Sequence, residues 1–130
     1  MIFDTNILIR LEREIRRNEV GSAVRFLQAI PATRMCITPA IAGEFACGLS
    51  MSRQRNWKEF LAPYEILPIT EEVTWQYGQI YRDLASKGKL IGTNDLWIAA
   101  TAIAHKVPIA THNMREFSRV SGLDVMAVED

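Results

Sequence analysis

The sequence predicts an α/β fold with a mainly parallel central sheet of about five strands flanked by helices. Short apolar runs alternate along the chain with segments whose apolar residues recur at helical spacing. The runs are apolar on both alternating faces, which is typical of strands covered by helices on two sides. At 130 residues and 48% hydrophobic, the chain has the length and apolar content of one domain. We therefore interpret residues 1–130 as a single domain.

Five apolar runs are the predicted strands. They read MIF, MCIT, EILPIT, VPIAT and DVMAV, and they lie at residues 1–3, 35–38, 65–70, 107–111 and 124–128. In sheets of this kind, ligands bind outside the carboxyl ends of the strands, near the point where the strand order reverses. The functional residues are therefore expected just after a strand.

The segments between the strands are predicted helices. Their apolar stripes are Ile7, Leu8, Leu11 and Ile15; Val20, Val24 and Leu27; Ile41, Phe45 and Leu49; Val73, Tyr77, Ile80 and Leu84; and Leu96, Ala99, Ala100 and Ile103. A further helix is predicted within residues 52–61. Pro39 fits a first helical turn, and Gly88 fits the residue just past a helix end.

Charge and cysteine content narrow the class of protein. Fifteen basic and fifteen acidic residues cancel, so a polyanionic partner must be held by a local patch or by a bound cation. Cys36 and Cys47 lack C-x-x-C spacing, and we interpret them as reduced core thiols of a cytoplasmic protein. Asp4 interrupts the apolar start, so no secretory signal is expected. The most apolar stretch, residues 96–104, has about half the length that a membrane span needs.

Three acidic residues stand close to predicted strand ends. Asp4 follows the first strand at the start of a helix, and Asp95 lies in the first turn of another helix that Thr93 or Asn94 can cap. Glu44 borders the buried stripe of the helix after the second strand. Taken singly, each aspartate reads as a helix cap, since negative charge at a helix N-terminus contributes about 0.3 to 1 kcal/mol.

The three acids together require a different explanation. Carboxylates about 4 Å apart repel by roughly 4 kcal/mol at an effective dielectric near 20, which a cap does not offset. A divalent cation does, and an oxygen-only ligand set suits Mg²⁺, with Mn²⁺ as an alternative. His105 and His112 lack metal-site spacing to the cysteines and are interpreted as surface or cap residues.

Four ordered segments resemble the motifs of a known family. They are FDTNILI, IAGEFACG, IGTNDLWIAATAIAH and IATHNMREFSRVSGL, and they span nearly the whole chain. They look like the motifs of the PIN-domain ribonucleases, and in particular of the VapC-type toxins. This resemblance implies a parallel sheet with flanking helices and cleavage of single-stranded RNA, with magnesium held by clustered acids.

The resemblance also assigns roles to individual residues. Asp4, Glu44 and Asp95 take the places of three family acids, and Thr5 and Asn6 match the polar pair that follows the first acid. Asp4 and Asp95 are the expected metal ligands. Glu44 is expected to bind through water or to act as a base.

The segment THNMREF departs from the family pattern. Many members carry a fourth acid after the fourth strand, where this chain has Asn113. Asn113 is expected to ligate or to orient water through its amide, with Glu116 as a less favoured substitute. Thr111 is expected to line the same edge. One metal is therefore the expectation.

The predicted activity is that of a metal-dependent endoribonuclease in which the metal activates water. Similar enzymes leave a 3′-hydroxyl and a 5′-phosphate. By resemblance, the chain is expected to be the toxin of a toxin–antitoxin pair, with a cognate antitoxin encoded by a neighbouring gene. Resemblance also predicts a homodimer through the helices after the second strand, and it names transfer RNA as a candidate target.

Basic residues offer contacts to RNA. Lys87 and Lys89 precede Asp95 in a loop, where they can meet an incoming phosphate. Four arginines alternate with glutamates in the first helix and are interpreted as a solvated face with internal ion pairs; they are Arg10, Arg13, Arg16 and Arg17.

Two other functions remain open at this stage. One is a phosphatase-like hydrolase with Asp4 as nucleophile, a class that generally has a second aspartate at the position of Asn6. The other is a non-catalytic module that uses a PIN-like fold to bind a partner protein, an alternative that Asn113 leaves open.

Overall fold

A fully parallel five-stranded sheet forms the centre of the molecule. The computed structural model describes residues 1–31 and 33–129, and its strands are β1 (Ile2–Phe3), β2 (Cys36–Ile37), β3 (Glu65–Ile66), β4 (Ile109–Thr111) and β5 (Val125–Ala127). The strand order is β3-β2-β1-β4-β5, and all neighbours pair in parallel. The predicted fold class and all five predicted strands are confirmed. The strand order reverses at β1, so the residue after β1 lies where such sheets bind ligands.

Helices connect the strands. The described residues form α1 (Thr5–Arg16), α2 (Ser22–Ala29), α3 (Pro39–Ala46), α4 (Gln54–Leu61), α5 (Glu71–Ser86), α6 (Thr93–His105) and α7 (Met114–Phe117), with a 3-10 helix at Leu49–Met51. As predicted, Pro39 opens α3 and Gly88 follows the end of α5 with a φ of 64°. In the described ranges, none of these helices has the length and apolar character needed to cross a membrane.

The inner strands carry the core. All residues of β1, β2 and β4 are buried, and their apolar side chains pack with those of the surrounding helices. The edge strand β3 differs, because Glu65 and Ile66 are both exposed and the Glu65 carboxylate pairs with the Arg34 guanidinium. The prediction of two covered faces therefore holds for the inner strands and fails at this edge.

Three predicted stripe residues lie outside the core. Leu49 is 95% exposed because α3 ends at Ala46, so the helical spacing no longer applies to it. Val20 precedes the start of α2 at Ser22 and is exposed. Ile15 is 59% exposed in the last turn of α1, where it lines a surface groove.

Two local predictions are also corrected. Both cysteines are free, but only Cys36 is buried, whereas Cys47 is exposed at the end of α3 and is no core residue. The N-cap of α6 is Gly92, and neither Thr93 nor Asn94 caps it, because both are already within the helix.

Candidate active site

Asp4 is the buried carboxylate at the centre of the site. It is the N-cap of α1 and is 5% exposed. Its Oδ1 accepts the backbone N–H of Thr5 at 2.8 Å, and its Oδ2 accepts the hydroxyl of Thr111 at 2.7 Å and the amide of Asn6 at 3.2 Å. Burial nevertheless raises the pKa of Asp4, despite these bonds and the favourable field of His112. A helix cap alone therefore does not fully compensate this charge.

Thr111 ties the end of β4 to the end of β1. Its hydroxyl donates to Asp4 and accepts the backbone N–H of Asn113 at 2.8 Å, while the Asn6 amide lies 3.5 Å away. The other end of the Asn6 amide accepts the backbone N–H of His112 at 3.3 Å. The two polar residues that follow or face Asp4 thus fix the orientation of its carboxylate.

Glu44 reaches the same edge from α3. Thr38 begins this helix by accepting the backbone N–H of Ile41 at 3.2 Å. Glu44 is half-buried, and its Oε1 accepts the hydroxyl of Thr5 at 3.1 Å. Since Thr5 directly follows Asp4, this bond holds Glu44 beside the first acid.

Asp95 provides the electrostatic evidence that the acids are clustered. It is half-buried in the first turn of α6. Burial, and after it the charges of Asp4, Glu44 and Glu116, together raise the pKa of Asp95 to about 6. The structure therefore brings the three predicted acids together and adds Glu116 as a fourth.

Glu116 occupies the fourth acidic place more convincingly than Asn113. Its Oε2 is buried without a hydrogen-bond partner among the described residues, and its charge acts on Asp95. Asn113 contributes its backbone N–H to Thr111, but its side-chain amide makes no hydrogen bond within residues 1–31 and 33–129. The family motif places the fourth acid at the position of Asn113, and Glu116 lies three residues later in α7, where its charge acts on Asp95.

The ligand set fits a hydrated hard cation. The clustered groups present oxygen atoms only, the donors that Mg²⁺ prefers. In the part of the chain that the structure describes, no three His, Cys, Asp or Glu side chains converge closely enough to enclose a metal directly. Mg²⁺ usually keeps several waters and binds one or two carboxylates. Asp4 and Asp95 therefore suit direct contact, while Glu44 and Glu116 suit contact through water.

The remaining predicted positions are less closely tied to the acids. Lys87 is exposed and its Nζ donates to Asp83 at 3.1 Å, and Lys89 is exposed in the loop before α6. His112 is half-buried next to the site, where burial and the charge of Arg10 lower its pKa. His105 lies elsewhere, with its Nε2 3.3 Å from the carbonyl of Pro68.

An acidic cluster at the switch point of a parallel sheet defines the class of protein. The chain belongs to the PIN domain family, whose model matches residues 1–123. The family resemblance of the four sequence motifs is thereby confirmed.

Relatives of known name place the chain more narrowly. It is 32% identical to Ribonuclease VapC1 of Rickettsia felis, with 98% of this chain and 96% of that protein covered. It is 34% identical to Ribonuclease VapC2 of Haemophilus influenzae, with 94% and 92% covered. The solved structure of VapBC2 from Rickettsia felis bound to a DNA fragment from their promoter has a TM-score of 0.80 at 28% identity, covering 99% of this chain and 100% of that one.

Proposed function

We propose that the chain is a Mg²⁺-dependent endoribonuclease and the toxin of a toxin–antitoxin pair. The observation that carries the proposal is the pKa of Asp95, raised to about 6 by burial and by the charges of three neighbouring acids. A cluster of this kind at a functional edge is a candidate metal site. The names of the relatives supply the substrate class, and the resemblance of the four sequence motifs to VapC-type toxins supplies the biological role.

Three of the acids have separate roles in hydrolysis. Asp4 and Asp95 would hold the cation, which would polarise the phosphate and lower the pKa of the attacking water. The Oε1 of Glu44 is held by Thr5, so its Oε2 accepts the proton of the water as that water attacks phosphorus. The bond from phosphorus to the 3′ oxygen breaks, and this oxygen takes up a proton from solvent water. The products are a 3′-hydroxyl and a 5′-phosphate.

Three residues hold Asp4 in place during this reaction. Thr111 and Asn6 both donate to its Oδ2, and Thr5 donates to its Oδ1. These bonds restrict rotation of the carboxylate and favour its ionised form. Thr5, Asn6 and Thr111 are therefore positioning residues in this proposal.

The other two functions receive less support. As nucleophile of a phosphatase, Asp4 would have to free an oxygen that now accepts hydrogen bonds, and Asn6 occupies the place of a second aspartate. The non-catalytic module drew its support from Asn113. Glu116 restores a fourth acid to the cluster and so weakens that argument.

The antitoxin is proposed to bind an apolar groove whose lining residues include none of the four clustered acids. The groove has a volume of about 540 Å³ and lies between α1, the 3-10 helix and α4. Ile15 and Phe60 line it, and the almost fully exposed Leu49 begins the 3-10 helix whose Ser50 and Met51 line it as well. An exposed apolar surface of this kind fits a partner segment, and the VapBC structures are complexes of a toxin with an antitoxin.

Cleavage of labelled RNA tests the proposed activity. The purified protein is incubated with a 5′-labelled single-stranded RNA and increasing Mg²⁺ or Mn²⁺, and the new ends are analysed for 3′-hydroxyl and 5′-phosphate groups. Cleavage that requires metal and disappears in Asp95→Asn supports the proposal. A metal-independent activity, or an acyl-phosphate on Asp4, contradicts it. Sequencing of RNA ends after expression tests transfer RNA as the target, and light scattering tests the predicted homodimer.

A further inference from the structure

Three arginines surround one surface cavity between α1 and α2. The cavity has a volume of about 270 Å³, and we call it the arginine cavity. Its lining residues are Arg10, Arg13, Glu14, Glu19, Gly21, Ser22 and Arg25. Three arginines against two glutamates, Glu14 and Glu19, leave the lining net positive on a chain of zero net charge.

Glu14 offsets part of this charge from beneath the surface, because its ionised carboxylate is buried and bound to the backbone of α2. It is 4% exposed and accepts the backbone N–H groups of Gly21, Val24 and Ala23 at 2.7, 3.0 and 3.2 Å. Burial raises the pKa of Glu14, but these bonds and the charge of Arg10 outweigh burial and lower the pKa overall. The negative charge therefore stabilises the N-terminus of α2 from below the cavity.

Gly21 is required for this arrangement. A Cβ at this position would lie 2.6 Å from the carboxyl carbon of Glu14, which is closer than two carbon atoms that are not bonded approach each other. The absence of a side chain lets the carboxylate reach the backbone of α2.

Arg13 and Arg25 present their charges to solvent. Both are exposed, and no carboxylate in residues 1–31 and 33–129 lies within ion-pair distance of either. Arg25 donates one N–H to the carbonyl of Val20 at 2.9 Å, which leaves most of its five N–H donors for other partners. The internal ion pairs predicted for this helix face are thus found between Arg16 and Glu12, but not at Arg13.

The arginine cavity adjoins the acidic cluster along α1. Asn6, Arg10 and Arg13 are spaced by four and three residues and therefore share one face of the helix. At 1.5 Å per residue, Arg10 lies about 6 Å and Arg13 about 10.5 Å along the axis from Asn6. Arg10 donates to the hydroxyl of Ser22 at 3.1 Å, and its charge also acts on His112 beside the site.

We propose that the arginine cavity binds backbone phosphates of the RNA strand next to the position of cleavage. This inference rests on the proposed ribonuclease function. It explains how a chain with zero net charge and an acidic site holds a polyanion. The contacts are to phosphates, so they contribute affinity without base preference.

Binding of a fluorescent 12-nucleotide uridine RNA tests the inference. Fluorescence anisotropy is measured in EDTA, so that no metal-dependent cleavage occurs, at salt concentrations from 50 to 200 mM. The double variant Arg13→Ala and Arg25→Ala is expected to bind more weakly and to have a smaller salt slope. Two lost contacts reduce the slope by about 1.4, so the affinity advantage of the wild type should shrink about sevenfold across this salt range.

Two further double variants show whether the loss of RNA binding comes from the cavity charges. One controls for the loss of the side chains, and the other controls for the change in total charge. Arg13→Lys with Arg25→Lys retains both charges and should keep most of the salt slope. Arg53→Ala with Arg82→Ala removes two exposed charges elsewhere and should bind as the wild type does. All variants are checked for unchanged melting temperature.

Each outcome decides between the inference and its alternatives. If the alanine variant at the cavity binds like the Arg53 and Arg82 control, or if the lysine variant loses as much as the alanine variant, the inference is overturned. If the wild type cleaves RNA in Mg²⁺ while the cavity variants bind normally, only the inference fails. If the wild type neither binds nor cleaves RNA, the proposed function fails with it.

Discussion

The hydroxyl of Thr111 donates a hydrogen bond of 2.7 Å to Oδ2 of Asp4, across 107 positions of the sequence. The two residues meet because β1 and β4 are paired neighbours in the sheet. The same hydroxyl accepts the backbone N–H of Asn113 at 2.8 Å, so its donor and an acceptor site are both used. A side chain of the same shape without the oxygen would leave two buried groups with fewer partners.

Thr111→Val tests this relationship. The variant is expected to lose about 1 to 3 kcal/mol of stability, because a buried donor loses its partner. The pKa of Asp4 should rise further, since Thr111 is the strongest of the hydrogen bonds that lower it. Thr101→Val is the matched control, because this buried hydroxyl donates only to the Trp97 carbonyl within α6. Equal losses in chemical denaturation of the two variants would contradict a special role for Thr111.

Asp95→Asn removes one charge from the cluster and preserves the shape of the side chain. RNA cleavage should fall on the order of 100-fold or more, as expected for a metal ligand. The melting temperature without metal should hold or rise, because repulsion from Asp4, Glu44 and Glu116 is relieved. Asp124→Asn, at an exposed aspartate, should change neither quantity. An Asp95 variant that unfolds yet keeps its cleavage rate per folded molecule would identify Asp95 as a cap only.

Glu116→Gln tests the fourth acid. Its loss should weaken Mg²⁺ binding about 10- to 100-fold, as removal of an outer carboxylate does. Carboxyl titration by NMR should also show a lower pKa for Asp95, because one of the charges that raise it is gone. Asn113→Asp is the companion variant, and it should tighten Mg²⁺ binding by adding a carboxylate. If Glu116→Gln leaves both the metal affinity and the Asp95 titration unchanged, Glu116 lies outside the site.

The contribution of Asp95 to the stability of the metal-free protein should grow as the pH falls from 7 to 5, while His112, whose pKa is lowered, acts against it in the same range. Folded Asp95 keeps its proton up to a pKa of about 6, whereas the unfolded residue releases it near the ordinary value of 3.8. Between these values the folded state binds more protons, so stability is lost as pH rises through 6. Saturating Mg²⁺ should raise the melting temperature at pH 7 and reverse this trend. The stability of metal-free Asp95→Asn should depend less steeply on pH. An unchanged pH dependence would refute the assignment of this effect to Asp95.

Leu49→Asp tests the proposed antitoxin groove. Because Leu49 is 95% exposed, the variant should melt like the wild type. Co-expressed with the protein encoded by the neighbouring gene, it should fail to co-purify with that protein, since a charge replaces an apolar contact. Leu90→Asp, at an exposed leucine of the loop before α6, should co-purify normally. RNA cleavage by Leu49→Asp should persist when that partner is present in excess, whereas the wild type should be inhibited.

The sequence predicts the strands well because buried parallel strands leave a simple signature. Apolar residues on both faces identify β1, β2 and β4, whose burial requires that composition. Helical spacing identifies a helix, but it does not show where other elements stop packing on that helix. Leu49 and Ile15 continue the apolar stripes past the point where other elements pack on the helices. Both residues are therefore exposed and lie outside the core.

The site is predictable to the extent that it follows strand ends. Asp4 and Asp95 stand at helix starts, and parallel topology alone brings such positions to one edge. Spacing alone does not show that the charge of Glu116 acts on Asp95, because this depends on the four-residue helix α7. Arg13 and Arg25 belong to different helices, so their shared cavity becomes visible only when α1 and α2 are packed.

The strand order has a consequence for synthesis of the chain on the ribosome. β4 inserts beside β1, and Glu116 follows it, so the first and the fourth acid are separated by most of the polypeptide. A nascent chain that has exposed α1 to α5 lacks a central strand of the sheet and two of the four carboxylates. Domains generally fold as units during translation. The complete acidic cluster therefore forms only near the end of synthesis, and incomplete chains released by stalled ribosomes should lack the proposed ribonuclease activity.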